Sequence, residues 1–382
     1  MTSRFSRAGR ILLFGLLVVG SPPLRAGTPG DPVVLAAGGV PCLTICVGSG
    51  ATDRVQAAAG ELATQLERIC GGPFAVVTGL REPGIVVGLP GDFHPQPEAP
   101  AFQPGDPWRR EEYLLRTDGA SLHLLGATET AVEHAVWDLL GRLGYRLYFL
   151  TDTWEIVPSL PDITVAFDEE VRPDYHTRLA PRQAPWSNAA LWKRWLQRNR
   201  ASSAFSLSTG HSYGGIIAAN EAAFAAHPEY YAMVDNIRQT NGSKFCISNP
   251  GLRQLVTDYA VGVMQASPDR DSVSMEPSDG GGWCECGACA DMGSVSDRVL
   301  WLANDVAQAI NALGHGPRYV GMYAYNEHSP PPAIAGHSNV IVNIATSFIR
   351  GGYSVAELVE GWRASGVTLG IRDYHDVFTW SH

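Results

Sequence analysis

The residue types best suited to chemistry lie in one run, Ser274-Met275-Glu276-Pro277-Ser278-Asp279-Gly280-Gly281-Gly282-Trp283-Cys284-Glu285-Cys286. Val273 and Met275 alternate with serines as in a short strand, Pro277 cannot donate to a ladder, and Asp279-Gly280 is turn chemistry. A strand ending near Glu276 therefore runs into an acidic, glycine-rich loop. Two carboxyls just past a strand end, beside an indole, supply what hydrolysis of a sugar acetal requires: a proton donor, an anionic partner and an apolar ring face. The plain alternative is an Asp-Gly turn beside a solvated Glu. Glu327 ends the next strand candidate, so Glu276 and Glu327 are expected at one mouth. Glu276, held against Trp283 with Asp279 nearby, is the expected general acid, its pKa raised by desolvation and like charge. Glu327 is the expected base or nucleophile, and the two roles are exchangeable. Either Glu can instead pair with Arg350 or Arg372.

Asp373 follows the last strand candidate and is the reserve carboxylate, with a loop salt bridge to Arg372 or Arg350 as its alternative. His211, in the small-residue loop Ser208-Thr209-Gly210-His211-Ser212-Tyr213-Gly214-Gly215, suits a hydrogen bond to a substrate hydroxyl or a turn cap. Trp283, Tyr323, Tyr325 and Tyr374 offer flat faces to pyranose C–H groups, although aromatics at such a mouth are also ordinary packing. Cys284, Cys286 and Cys289 form C-x-C-x-x-C, with Cys246 as a fourth member. A thiolate zinc site and a loop-stiffening disulfide both fit this spacing, and neither makes the cysteines catalytic.

The elements that must position these residues fall into two parts. Of the 382 residues, 45% are hydrophobic and 17% charged, with 41 Gly and 26 Pro, which describes a folded, turn-rich chain with two domains. Residues 1–26 read as an export signal: Arg4, Arg7 and Arg10 precede an apolar run, Ile11 to Val19, too short to span a bilayer comfortably. A secreted or periplasmic protein with no later membrane span is expected. Residues 32–160 read as a small α+β domain, with helices over Asp53 to Ile69 and Thr128 to Leu143 and a hairpin turning at Asp118-Gly119. From residue 174 to 382, short apolar strands alternate with helices. The strand candidates are 176–179, 204–207, 245–248, 272–275, 319–323, 340–344 and 368–372. Polar residues follow nearly every strand at one end, which predicts a TIM-like (β/α)8 barrel whose last unit is missing.

The stretches Tyr230-Tyr231, Cys246-Ile247-Ser248-Asn249-Pro250, the acidic run above and Tyr323-Ala324-Tyr325-Asn326-Glu327-His328-Ser329-Pro330-Pro331 resemble a bacterial family of secreted proteins with a DUF4838 domain. That family looks like a glycoside-hydrolase barrel, often preceded by a domain similar to the N-terminal domain of α-glucuronidases and β-hexosaminidases, which residues 32–160 resemble. The resemblance implies a fold and a reaction class, not a substrate. By likeness to retaining barrel glycosidases, Asn326 beside Glu327 would bond a sugar hydroxyl or orient a carboxylate, and Asp373 stands where such enzymes place a nucleophile.

The expected function is thus a glycoside hydrolase acting on an oligo- or polysaccharide, with no cofactor required for catalysis. A non-catalytic carbohydrate-binding protein on the same barrel, or a structural metalloprotein built on the cysteine cluster, are the alternatives. A net charge of −10 without a basic patch argues against nucleic acid. Walker and H-E-x-x-H motifs are absent, and Gly280-Gly281-Gly282 lacks the lysine of a phosphate loop.

Overall fold

The structure, a computed structural model, describes residues 28–178 and 188–374. The export signal, and Leu179 of the first strand candidate in the second part, lie outside the described residues.

The first unit begins with β1 (Val33–Ala37), β2 (Val40–Pro41) and β3 (Ile45–Val47). Helix α1 (Asp53–Cys70) follows, started by the Thr52 side chain on the Val55 amide and stopped by Gly71 at φ 95°. Next come β4 (Val76–Thr78), β5 (Ile85–Gly88), the hairpin of β6 (Tyr113–Thr117) and β7 (Leu122–Gly126), and α2 (Glu129–Arg142), capped by Thr128. A short ribbon of β8 (Arg146–Leu147) and β9 (Glu155–Ile156) precedes β10 (Ile163–Val165) and β11 (Asp168–Val171). Six strands form one mixed sheet in the order β11-β6-β7-β5-β3-β4, and β10-β1-β2 form a smaller one. Both helices pack their apolar faces on the large sheet, which explains why Leu62, Leu66, Val132, Val136 and Leu139 are solvent-free.

The second unit holds α3 (Ala189–Arg198), α4 (Tyr213–Ala219), α5 (Glu221–Ala226), the ribbon β12 (Met233–Val234) with β13 (Ile237–Arg238), and α6 (Pro250–Ala266). Then come β14 (Ser272–Ser274), α7 (Gly287–Asp291), α8 (Val295–Asn311), β15 (Tyr319–Asn326), β16 (Val340–Ile349), α9 (Val355–Ala364) and β17 (Thr368–Arg372). The last four strands form one parallel sheet in chain order, β14-β15-β16-β17.

Among the described residues this sheet is open, with four strands, and the predicted TIM-like barrel lacking its last unit is not formed. The candidate at 204–207 has no ladder: Ser208 N donates to Ser272 Oγ (2.7 Å) and Ser272 Oγ donates to Ser206 O (2.7 Å), so serine hydroxyls replace backbone pairs. That segment crosses the sheet closely, for a Cβ on Gly321 would meet Ser208 O at 2.1 Å. In the candidate at 245–248 only Phe245 pairs, in a single bridge to Tyr231, and residues 176–178 are irregular. The first unit closes the base of the sheet. Trp108 packs on Phe205 and Tyr319, and Arg110 Nη1 lies 2.8 Å from buried Asp271 Oδ1. No helix of the described residues is long and apolar enough to cross a membrane.

Candidate functional site

The C-terminal ends of β14 to β17 bring most of the predicted groups together. Glu276, two residues past β14, has 0% exposure. The Tyr323 amide donates to its Oε2 (2.7 Å), and His328 Nε2 lies 3.1 Å from its Oε1. Against a carboxylate, which only accepts, the donor at His328 is Nε2–H, and in the neutral ring Nδ1 is then an acceptor. That Nδ1 is buried and has no partner among the described residues. The Tyr213 hydroxyl, also buried, has its pKa pushed up by burial and then by the Glu276 charge. Glu276 therefore sits beneath the mouth with both oxygens engaged.

Asp279 is exposed on the glycine loop, where Gly280 and Gly282 take left-handed φ of 78° and 82°. Its Oδ1 accepts from the Gly280 amide (2.8 Å) and faces the Tyr325 hydroxyl (3.4 Å). Burial, and then the Asp279 charge, raise the Tyr325 pKa. Beneath the loop lies Lys244, 3% exposed, whose ammonium donates to the carbonyls of Ser278 and Asp279 and stands 4.8 Å from the Trp283 ring centroid. Burial lowers its pKa, and the charges of Asp279 and Glu276 oppose the drop. His211 Nδ1 is 2.5 Å from Pro277 O and 3.9 Å from Glu276 Oε1; a proton on Nδ1 leaves Nε2 as an acceptor on an exposed ring.

The aromatics form a wall. Tyr325 and Tyr374 stack with centroids 6.2 Å apart, and Phe348 meets both edge-on at 5.5 and 5.3 Å. Arg372 lies between Tyr323 and Tyr374, 4.8 and 4.9 Å from their centroids, and donates to both hydroxyls. The Tyr323 hydroxyl is further tied to Thr209 at 2.9 Å. Two non-glycine residues at this edge hold left-handed backbone, Asn326 (φ 49°) and Phe348 (φ 60°). Asn tolerates that region, whereas for Phe it is strained.

Glu327 is set apart in environment. It is exposed and faces Arg350 at 3.4 Å, the pairing weighed from sequence, and Arg350 Nε also bonds Asn326 Oδ1 (3.0 Å). Asp373 Oδ1 accepts from Thr346 Oγ1 at 2.9 Å. Sequence reasoning assigned no role to Lys244, His328 or Phe348. Only His328 carried a signal, its place one residue after Glu327 in the second motif. A half-open cavity lined by Trp108, His176, Phe205, Leu207, Asn343 and Gly370 includes none of these site residues, whereas a shallower groove lined by Gly282, Trp283, Glu285 and Arg298 runs beside the loop.

The four cysteines converge: the Sγ atoms of Cys246, Cys284, Cys286 and Cys289 all lie within 4.8 Å of one another, unbridged. Four thiolates in such a cluster have the donor set of a tetrahedral thiophilic metal centre.

No curated protein matches the sequence. Among solved structures, an N-acetyl-β-hexosaminidase from Streptomyces plicatus is similar over 91% of this chain and 72% of its own, at 16% identity and a TM-score of 0.43. A β-N-acetylhexosaminidase from Bacteroides fragilis is similar over 91% and 73%, at 11% identity and 0.42. A family GH115 4-O-methyl-α-glucuronidase with specificity for decorated arabinogalactans is similar over 91% of this chain, at 11% identity and 0.45, and this chain spans just over half of it, 56%. At these identities and scores the superpositions decide no point of chemistry. The family described as a domain of unknown function, DUF4838, matches residues 149–379, more than half of the chain, and the chain belongs to that family.

Proposed function

We propose that the protein is a glycoside hydrolase whose sugar binds at the C-terminal edge of the β14–β17 sheet. The observation that carries this is the exposed Asp279 carboxyl, hydrogen-bonded to Tyr325 at the end of an aromatic wall of Tyr325, Phe348 and Tyr374. Asp279 is the proton donor to the leaving oxygen, and the wall takes the apolar ring face of the pyranose. Glu327, exposed and held by Arg350, is the second carboxylate, a base or nucleophile. Asp373 is the reserve for that role. Glu276, expected from sequence as the acid, becomes a positioning residue here: it has no solvent contact and binds a backbone amide and His328. His211 presents its ring to a substrate hydroxyl. No cofactor enters the reaction.

A second reading, a non-catalytic carbohydrate-binding protein, is favoured by one observation, the engagement of Glu276 by internal donors and of Glu327 by Arg350. The test is turnover of a panel of aryl glycosides and glucuronides, beside calorimetric binding of the matching sugars. Loss of a general acid or base removes about 10²–10⁴ in rate. Asp279→Asn should lower kcat by that factor and leave binding within a few-fold. Sugar binding with no turnover by the wild type moves the assignment to the binding protein, and neither binding nor turnover ends both.

A further inference from the structure

We infer that Cys246, Cys284, Cys286 and Cys289 are the four ligands of a tetrahedral zinc centre that fastens the acidic loop to the rest of the second unit. This stands independently of the hydrolase assignment. Around a zinc ion with Zn–S bonds of about 2.3 Å, tetrahedral geometry puts neighbouring sulfurs about 3.8 Å apart. Cys246 Sγ lies 3.6 Å from Cys286 Sγ and 3.9 Å from Cys289 Sγ, which brackets that value. A disulfide selects one partner for each sulfur. Here Cys246 has two sulfurs at nearly equal distance, which is the arrangement a shared ion imposes.

The surroundings are those of thiolates. The Met233 amide points at Cys284 Sγ (3.3 Å), and the Ser248 amide points at Cys289 Sγ (3.5 Å). Such N–H donors outside the ligand shell orient sulfurs and offset their negative charge. Arg238, on the ribbon above, adds a cation against Cys246, Cys284 and Cys286. Cys246, Cys284 and Cys289 are buried, with Ala232 and Met233 packed around them, so water has little access to the sulfurs. An all-sulfur tetrahedral set selects zinc or iron among common metals, and zinc needs no redox partner to remain bound.

The four ligands come from two places in the chain. Cys246 follows Lys244, the residue beneath the loop, while Cys284 directly follows Trp283 at the loop's end. A metal bridging them fixes both ends of the contact between Lys244 and the Ser278 and Asp279 carbonyls. The ion would thereby hold Asp279 in place without touching substrate.

The experiment uses the full chain purified under reducing conditions with zinc supplied, followed by elemental analysis, thiol labelling and cobalt exchange. One zinc per chain is expected, with four of the seven cysteines refractory to labelling until the metal is chelated. Cobalt should give the intense visible bands of a tetrahedral tetrathiolate. Cys286→Ala, at the most exposed ligand, should lower zinc retention at least tenfold, while Cys42→Ala, exposed and remote, should keep one zinc. If Cys286→Ala fails to fold, cobalt spectra and hydrogen exchange of residues 277–290 in wild type, with and without chelator, decide: faster exchange on metal removal supports the centre. A substoichiometric metal content below one-tenth per chain, or a mass deficit of hydrogen pairs showing Cys246 in a disulfide, overturns it.

Discussion

Removing the Glu276 carboxylate discriminates most sharply between a buried positioning residue and a catalytic acid. In Glu276→Ala, the Tyr323 amide and His328 Nε2 lose the acceptors they reach at 2.7 and 3.1 Å, in a position with 0% exposure. Each buried donor left unsatisfied costs about 1–3 kcal/mol. With the added cavity, the two unsatisfied donors put the expected loss at about 3–5 kcal/mol. Glu276→Gln keeps the shape and one acceptor. Its amide N–H can face His328 only if the imidazole changes tautomer, which replaces the orphan acceptor at Nδ1 with an orphan donor. That exchange costs about 1–3 kcal/mol. Denaturant unfolding followed by tryptophan fluorescence and far-UV circular dichroism reads both values, with turnover and sugar binding measured on the same samples. A Gln variant with wild-type stability and normal sugar binding that had lost turnover would refute the positioning role and return Glu276 to proton transfer. An Ala variant costing less than about 1 kcal/mol would show that the two donors do not depend on this carboxylate.

Two further outcomes test the frame that carries the site. His134 is buried, its pKa lowered to about 3 by burial and then by Arg178, Arg200 and Arg54, so the ring is neutral beside Glu111 at 3.5 Å rather than ion-paired. Its folded pKa lies below the unfolded value of about 6.5, so its contribution is complete above that value and is lost as pH falls toward 3. His134→Asn should flatten the stability–pH curve between those limits in a denaturation series, and an unchanged slope would contradict the burial argument. Arg110→Ala strips the partner from Asp271, which is 3% exposed in its side chain and also accepts from Ser206 N at 2.9 Å; a loss of about 3 kcal/mol is expected by urea unfolding, with a loss under about 1 kcal/mol counting against a coupled interface.

The first unit was largely legible because its signals are local. Helix α1 runs from the residue after Thr52 to the residue before Gly71, and the β6–β7 hairpin turns at Asp118-Gly119, so cap and turn chemistry set the boundaries. Strands β1, β10 and β11 escaped notice, although Gly38-Gly39, both at left-handed φ, turn β1 into β2. In the second unit the four strands that do form have apolar residues buried between helices and sheet, whereas the segments at 204–207 and 245–248 share that alternation without a ladder partner. Periodicity reports which side chains are buried and is silent on whether a backbone N–H meets a carbonyl or a serine hydroxyl. For the site, chain order suggested that Glu276 and Glu327 share one mouth, and the residue after β15 that meets Glu276 is His328. It could not show that Glu276 faces inward while Asp279, three residues on, faces out, since that depends on the path of Pro277 and the glycines.

That path is itself unfavourable to maintain. Residues 280–282 are all glycine, and ordering each costs about 1–2 kcal/mol of backbone entropy or somewhat more, with no side chain to bury in return. The compensation comes from tethers outside the sheet. Lys244 holds the carbonyls of Ser278 and Asp279, and His211 meets the Pro277 carbonyl. Met233 O accepts from the Glu285 amide at 2.7 Å, and Arg298 Nη1 donates to the Cys284 carbonyl at 2.7 Å. The Glu285 contact is a backbone pair, and the others use side chains that no strand supplies. Asp279 is consequently placed by the layer of loops and helices around residues 211–244 and 298, not by β14 alone. Changes in that layer would move the exposed carboxyl relative to the Tyr325 wall while leaving the sheet intact. The reach of the carboxyl is therefore set by residues far from it in sequence, of which Lys244 has the greatest leverage: it is buried, cationic and bonded to two consecutive carbonyls of the loop.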